Sequence, residues 1–421
     1  MDHAPALRAL MVAYHFPPLR GSSGIQRTLR FCRYLPDFGW TPLVLTASER
    51  AYEDIDDNSR VEIPQGLVVR RAFALNTARQ LSFGGRYPTL LAVPDRWVSW
   101  LAGGVLAGLA MIRRARPSVI YSTYPIATAH LIGLALHRLS GLPWVADFRD
   151  PMAQEGYPAD PRIWRSFKWI EDHALRNASR SLFTSPGAIR DYRRTYPDIP
   201  AERFVLIENG YDEEAFARAE VSRGVQSVEA PPARSPLVIL HSGIVYPTER
   251  DPTQFFVALG ALKRMGALGA ADVEFRFRAS ANEPMLRALA RQEAVEDIVS
   301  VLPHIPYADA LNEMMSADGL LLMQAANCNA QIPAKAYEYL RAGRPMLALT
   351  DGAGDTADLM RRAGAGAVAS LDSVAAMMRE VPAFLERLRS GEARPADPAF
   401  TAGCSRRERT RMLASVFDSL K

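Results

Sequence analysis

Lys335 and Glu338 are the residues whose types and spacing point most directly to chemistry. They lie in a stretch, 331–345, between two apolar runs of strand length, 320–323 and 346–349, so the stretch reads as the helix of a strand-helix-strand unit. Pro333 suits the first turn of that helix and Gly343 its C-terminal stop. Residues three apart on a helix share a face, so Lys335 and Glu338 can reach two parts of one ligand. A helix that opens at the carboxyl end of a parallel strand aims free backbone N–H groups and its positive dipole end into a crevice where an anion can sit. Lys335 adds a full positive charge where the dipole alone would prefer an acid, and a ligand anion accounts for it. A cation for phosphate beside a carboxylate for sugar hydroxyls is what a nucleotide sugar requires. The plainer reading of Glu338 is a helix-surface acid paired with Arg341 or Arg344.

Two further groups stand where a parallel sheet would present them. Asp147, Arg149 and Asp150 follow a run of strand length, which sets them at its carboxyl end, where ligands bind in open parallel sheets. Asp150 or Asp147 could orient an acceptor or steady an oxocarbenium-like centre; alternatively, an internal Arg-Asp salt bridge holds the loop. Near the start, a strand over 7–14 leads through a loop with Gly21 and Gly24 into a helix that carries Arg27. A residue without a Cβ lets backbone approach a diphosphate closely, but the fingerprints G-x-G-x-x-G and G-x-x-x-x-G-K-[ST] are both missing from this loop. The glycines otherwise end a turn, and Arg27 is otherwise a solvated charge.

Elements that could position these residues follow from hydrophobic patterning. Strands over 7–14, 42–46, 66–71, 118–122, 143–148, 179–184 and 204–207 alternate with helices over 25–35, 99–114, 127–139, 163–176 and 188–196. Mixed charge and then prolines mark 213–235 as a linker. A second alternation begins at 237 and runs to about 390, and a last helix over 405–420, basic at its start, packs on the first domain or faces an anionic surface. The expected fold class is α/β, two doubly wound Rossmann-like domains facing each other across a cleft, over 1–212 and 236–390, with 391–421 returning to the first.

Composition narrows the class. With 421 residues, 48% hydrophobic and 23% charged, the chain is a globular protein of about two domains. Its 50 basic against 46 acidic residues are too evenly balanced to imply nucleic acid. Cys32, Cys328 and Cys404 are far apart, an odd count without metal-ligand spacing, and the start of the chain lacks the pattern of a signal peptide, so the cytoplasm is expected. The apolar, Gly-rich segment 97–112 is shorter than the roughly 20 residues of a membrane span and reads as a buried helix or a membrane-surface contact. Arg86, Tyr87, Leu90, Leu91, Trp97, Trp100, Arg113, Arg114 and Arg116 mix aromatic and basic character as a lipid-water boundary would, unless the tryptophans sit in the core and the arginines in water.

Taken in order, these segments resemble the retaining family 4 glycosyltransferases of GT-B architecture, over nearly the whole chain. The resemblance is carried by Tyr14-His15-Phe16-Pro17-Pro18 with Gly21 and Gly24, by Pro143-Trp144-Val145-Ala146-Asp147-Phe148-Arg149-Asp150-Pro151, and by Ile207-Glu208-Asn209-Gly210-Tyr211-Asp212. It continues in His241-Ser242-Gly243-Ile244-Val245-Tyr246 with Arg250-Asp251-Pro252, and in the helix from Pro333 to Pro345. Such a resemblance implies a nucleotide-diphosphate sugar as donor and a lipid-linked or glycan acceptor, with surface polysaccharide as product and peripheral contact with the inner membrane. It assigns Arg250 and Lys335 to the diphosphate, where fixed cations meet the charge that develops on the leaving group; Arg250 is otherwise a loop arginine in water. Gly21, Gly24, Arg27, Gly243, Pro333, Ala334 and Glu338 join them on the donor side, with His304 and Ile305 in the loop that meets the base. On the acceptor side it sets Asp147 and Arg149, with Asp150 in catalysis and Tyr124 where many members have a histidine after the fourth strand. The common family signature has two glutamates separated by seven residues; here Ala330 stands eight positions before Glu338, with Gln331 beside it. No carboxylate pair is placed to hold a divalent ion, so no metal and no cofactor are expected. Two other classes use the same features: a sugar-nucleotide epimerase, which needs no acceptor, and a non-catalytic nucleotide-sugar-binding protein.

Overall fold

In a computed structural model, which describes residues 7–20, 24–84, 86–225 and 236–421, the chain divides into two compact units, Met1–Glu208 with Arg406–Lys421, and Asn209–Ser405. The first contains seven parallel strands: β1 Leu7–Val12, β2 Trp40–Ala47, β3 Val68–Ala72, β4 Val119–Thr123, β5 Trp144–Arg149, β6 Arg180–Phe183 and β7 Phe204–Leu206, in the order β3-β2-β1-β4-β5-β6-β7. The second contains six: β8 Leu237–Ser242, β9 Val273–Arg278, β10 Val299–Leu302, β11 Gly319–Met323, β12 Met346–Leu349 and β13 Ala367–Ala369, in the order β10-β9-β8-β11-β12-β13. Every pairing is parallel; Leu10, for example, lies between Leu43 and Ile120.

The two-sided burial explains why the strands read as continuous apolar runs. In β1, Leu10 and Val12 enter one core while Ala9 and Met11 enter the other. In β11, Leu321 and Met323 point into one core and Leu320 and Leu322 into another. Successive side chains point to opposite faces, so a strand covered by helices on both sides favours apolar residues at every position, and a buried polar one such as Asp147 needs partners. The Gly-rich segment became the helix Trp100–Ala115. A Cβ at Gly104 or Gly108 would lie 2.5 or 2.6 Å from Ile132 or Leu136 of the helix Ala127–Ser140, so those glycines let two helices touch. Among the described residues, no helix is long and apolar enough to cross a membrane.

One segment departs from the sequence reading. Glu213–Val225, assigned to a linker, is a helix of the second unit. Phe216 and Ala219 are buried, and Arg341 forks onto Glu213 at 2.8 and 2.6 Å, reaches Glu220 at 2.9 Å and lies over the Phe216 ring. Its charges read as linker because their partner is more than 100 residues away. Residues 226–235, with the prolines of that reading, lie outside the described residues. The last helix, Arg406–Asp418, belongs to the first unit: Phe417 packs edge-on against Trp40 and Tyr121, and Arg407 reaches Asp37.

Candidate functional site

Strand order in the second unit reverses between β8 and β11. Carboxyl ends of strands that flank such a reversal form the ligand crevice of an open parallel sheet. At this point β8 ends at Ser242, whose N–H donates to the hydroxyl of the fully buried Tyr339 at 2.8 Å and so pins the helix Ala334–Ala342 to the strand. Pro333 caps that helix, Gly343 ends it at φ 68°, and its first turn has no acid. Gly243 follows β8 at φ 141°, and a Cβ there would lie 2.8 Å from Lys335 Cε, so the lysine side chain runs directly over the glycine. The Lys335 ammonium lies 3.4 Å from Glu338 Oε2, and Glu338 Oε1 accepts from the Tyr307 hydroxyl at 2.9 Å. Arg341 and Arg344 are engaged elsewhere, the first by Glu213 and Glu220 and the second by Met315 O, so the surface-pair reading of Glu338 fails.

Arg250 donates to Ile244 O at 2.8 Å and covers the Tyr246 ring, which folds the half-buried guanidinium back on its own loop. The buried His241 senses both cations. Burial first, then the charges of Arg250 and Lys335, lower its pKa to about 4, while Leu321 O holds its Nδ1 at 2.9 Å. His304 is exposed and Ile305 partly so, in a loop braced by Arg278, which donates to Pro303 O and forks onto Glu313 at 2.8 Å through two nitrogens. Around Ala330, the buried Gln324 amide donates to Cys328 O and Gln331 O and accepts from the Thr356 hydroxyl, which holds the loop from inside. Tyr307, Tyr339 and Gln324 escaped the sequence reading: no spacing ties position 307 to 338 or 339 to 242, although Tyr307 does open the helix after the His304 loop.

In the first unit the reversal falls between β1 and β4. Two residues assigned there to ligands are instead structural. Arg27, 4% exposed, forks onto Asp147, 0% exposed, at 2.8 and 3.1 Å, and donates to the carbonyls of Ile207 and Glu208. Asp147 also accepts from Tyr121 at 2.5 Å and from Thr123 at 3.2 Å. Burial alone would raise its pKa, but Arg27 and Tyr121 outweigh that and hold the carboxyl below its ordinary range. Arg27 therefore has no face for a donor, nor Asp147 for an acceptor; Asp147 is salt-bridged, but to Arg27 and not to Arg149 of its own segment. Arg409 extends the network by donating to the Glu208 carboxylate at 2.7 Å. Tyr124 is likewise buried, its ring edge-on to Phe167, so its side chain is core and not acceptor contact.

Arg149 and Asp150 remain at the surface. Arg149 adopts φ 58°, a left-handed conformation uncommon outside glycine, and its guanidinium lies 3.4 Å from Gly24 O and 3.3 Å from Tyr124 O, bridging the ends of the glycine loop and β4. Asp150 is exposed, yet protein crowding water from its carboxyl raises the pKa against the pull of Arg149. Burial, then the charge of Arg149, lowers the pKa of the neighbouring His15 to about 3. Gly21 lies outside the described residues. The sequence does contain an Asp-x-Asp triplet, Asp54-Ile55-Asp56, but its carboxylates serve their own turn, one on Ile55 N–H and one capping Asn58 N–H. Among the described residues no group of three potential metal ligands lies together.

Two buried histidines make stability depend on pH. His130, on Ser122 at 2.8 Å, and His241 each have a pKa lowered, chiefly by burial, to about 4. Between about pH 6.5 and pH 4 the unfolded chain binds protons at these sites that the folded chain does not, so stability rises with pH across the window and is lost on acidification. Moving from about pH 7 to about pH 5 should cost on the order of 2 kcal/mol for each histidine. A urea midpoint, read by circular dichroism, that stays constant over that range would contradict neutral burial.

Two doubly wound Rossmann-like units of this kind constitute the GT-B fold. Residues 23–210 match the family described as Glycosyl transferase 4-like domain. Among solved structures, the chain is similar to Anabaena HepE in complex with UDP and glucose (13% identity, 98% of this chain and 100% of that one, TM-score 0.65). It is also similar to sucrose-phosphate synthase from Thermosynechococcus elongatus (14% identity, 98% and 94%, TM-score 0.61) and to the lipopolysaccharide outer core galactosyltransferase WaaB (13%, 98% and 100%, TM-score 0.62). At these identities the structural likeness is one of fold. No curated protein matches the sequence. The family match covers the first domain and marks it as glycosyltransferase-like, and the second domain shares the fold of the solved glycosyltransferases.

The tryptophans of the membrane reading are not at a boundary. Trp100 is fully buried against Tyr14, and Trp97 is partly buried with its indole N–H on Ala51 O. Arg86, Tyr87, Leu91, Arg113, Arg114 and Arg116 are exposed, and the Leu90 side chain lies outside the described residues. The most exposed aromatic is one the sequence reading passed over, Phe83, 93% exposed in a tight turn closed by reciprocal backbone bonds with Arg86.

Proposed function

We propose that this enzyme moves a sugar, with retention, from a nucleotide-diphosphate donor to a lipid-linked or glycan acceptor in surface polysaccharide synthesis. The observation that carries the reading is the Lys335–Glu338 pair laid across Gly243 at the end of β8, with Arg250 beside the same buried histidine. In this reading Lys335 and Arg250 meet the charge that builds on the leaving diphosphate, Glu338 accepts from the ribose hydroxyls, and the braced loop with His304 and Ile305 meets the base. Pro333 and Ala334 bring the helix N–H groups to the phosphates. Asp150 and Arg149, beside Gly24, face the acceptor. HepE, with UDP and glucose, and WaaB, a lipopolysaccharide galactosyltransferase, lend the reading their donor and acceptor classes.

Radiolabelled UDP-hexoses offered with a prenyl-diphosphate-linked sugar test it: label should move to the lipid-extractable fraction. Conversion of the nucleotide sugar with no acceptor present would make the enzyme an epimerase instead. Transfer is expected to persist in excess chelator, because cations and a helix terminus do the work of a bridging metal; abolition by chelator, restored by magnesium or manganese, would overturn that point.

The acceptor is proposed to meet the enzyme at a membrane surface, where Phe83, Tyr87 and Leu91 offer apolar contact and Arg86, Arg113, Arg114 and Arg116 offer charge. The arginines contribute only about 1 kcal/mol each near an anionic bilayer, so attachment should be weak. Co-sedimentation should rise with anionic lipid and fall with salt and in Phe83→Ser; equal recovery in the supernatant with and without anionic lipid would favour a soluble acceptor.

A further inference from the structure

One buried carboxylate in the first unit takes no part in the steps above. Glu171, 2% exposed, sits in the helix Pro161–Asn177. Its Oε1 accepts from Lys168 Nζ at 2.9 Å and the Tyr196 hydroxyl at 2.7 Å, and its Oε2 accepts from the Tyr192 hydroxyl at 2.8 Å and the N–H of Ala153 at 3.2 Å. Tyr192 in turn accepts from the N–H of Met152 at 3.1 Å. Two consecutive N–H groups, immediately after Pro151, thus end directly or through one hydroxyl on this carboxylate.

A buried carboxylate is unfavourable unless its bonds are satisfied, and apolar side chains would fill the same space at no such penalty. What an apolar residue could not do is hold those N–H groups. They belong to the irregular segment 150–160, which follows β5 and begins with Asp150. The near side of Asp150 is also fixed: the Thr184 hydroxyl donates to Arg149 O at 2.6 Å, and the Asp150 N–H donates to Phe148 O at 2.6 Å. Asp150 is therefore tied on both sides along the chain while its own side chain stays exposed.

We infer that Glu171, with Tyr192 as relay, is a positioning residue that clamps the loop behind Asp150 and so holds its carboxylate at the end of β5 for the acceptor. This role rests on the acceptor-side reading of Asp150 given above. Glu171→Gln is the informative variant. Each Glu171 oxygen meets one partner that can only donate, Lys168 on one side and the Ala153 N–H on the other, so the amide NH2 must face a donor whichever way it turns. Tyr192→Phe removes only the relay to Met152 and disturbs the fold less.

The test pairs amide hydrogen exchange with kinetics, using a UDP-hexose donor and a prenyl-diphosphate-linked sugar acceptor, with Asp150→Asn measured alongside. Glu171→Gln is expected to speed exchange at Met152 and Ala153 and Tyr192→Phe at Met152, and both to lower kcat/KM for the acceptor about tenfold. Donor KM should not move, because Lys335, Glu338 and Arg250 stand in the other unit. Unchanged exchange at those two amides in Glu171→Gln overturns the clamp. Faster exchange with acceptor kcat/KM unchanged, while Asp150→Asn is impaired, overturns the positioning role. Full activity in Asp150→Asn overturns the reading of Asp150 and with it the role of Glu171.

Discussion

Arg27→Ala should destabilise the first unit by about 3 to 5 kcal/mol, the cost of leaving one member of a buried ion pair uncompensated. Asp147 would keep Tyr121 and Thr123 but lose the guanidinium that forks onto it, and the carbonyls of Ile207 and Glu208 would each lose a donor. Against a typical domain stability of about 5 to 15 kcal/mol the loss is large. Arg27→Lys should recover little, because a single ammonium cannot replace a fork onto a carboxylate plus two carbonyls. All six tryptophans lie between Trp40 and Trp169, so indole fluorescence reports unfolding of this unit alone. The double variant Arg27→Met with Asp147→Leu should be more stable than Arg27→Ala, since it leaves no buried charge alone. A fluorescence midpoint for Arg27→Ala within about 1 kcal/mol of the parent would return Arg27 to the list of ligand contacts.

Lys335→Ala should lower turnover at least about tenfold, because one lost charge-assisted bond to the diphosphate is worth roughly 1.5 to 3 kcal/mol. Arg250→Ala should do the same. Folding should barely change in Lys335→Ala, since a partly exposed pair with Glu338 contributes little stability. Gly243→Ala is a sharper probe because it keeps the lysine. Its new Cβ would lie 2.8 Å from Lys335 Cε at a φ of 141° that L-residues rarely adopt, so the lysine must move off its track. Loss of donor turnover in Gly243→Ala comparable to that in Lys335→Ala is expected. Full activity in either lysine or glycine variant, at saturating and subsaturating donor, would mean the diphosphate lies elsewhere.

What was legible in the sequence was what is local. Lys335 and Glu338 are three residues apart and meet; Pro333 and Gly343 bound their helix as their chemistry dictates. The strands were legible because burial on two faces leaves runs such as Leu320-Leu321-Leu322-Met323 with no polar interruption. Illegible were the charges whose partners are distant. Arg27 and Asp147 are 120 positions apart, and each alone looks like a ligand-binding charge beside a strand end. Glu213 and Glu220 looked like linker for the same reason, with Arg341 holding both. The glycine at 243 was assigned to the donor by resemblance, but its physical work, a track for a lysine 92 positions later, becomes visible only in three dimensions.

The central claim is that a nucleotide-diphosphate sugar binds the second unit against Lys335 and Glu338. Thermal shift against a panel of nucleotide sugars, run in parallel on the parent enzyme, Lys335→Ala and Glu338→Gln, tests it most directly. At least one nucleotide sugar should raise the parent's melting temperature, and the same ligand at the same concentration should raise it much less in both variants. No shift with any member of the panel, or an equal shift in all three proteins, would contradict the claim.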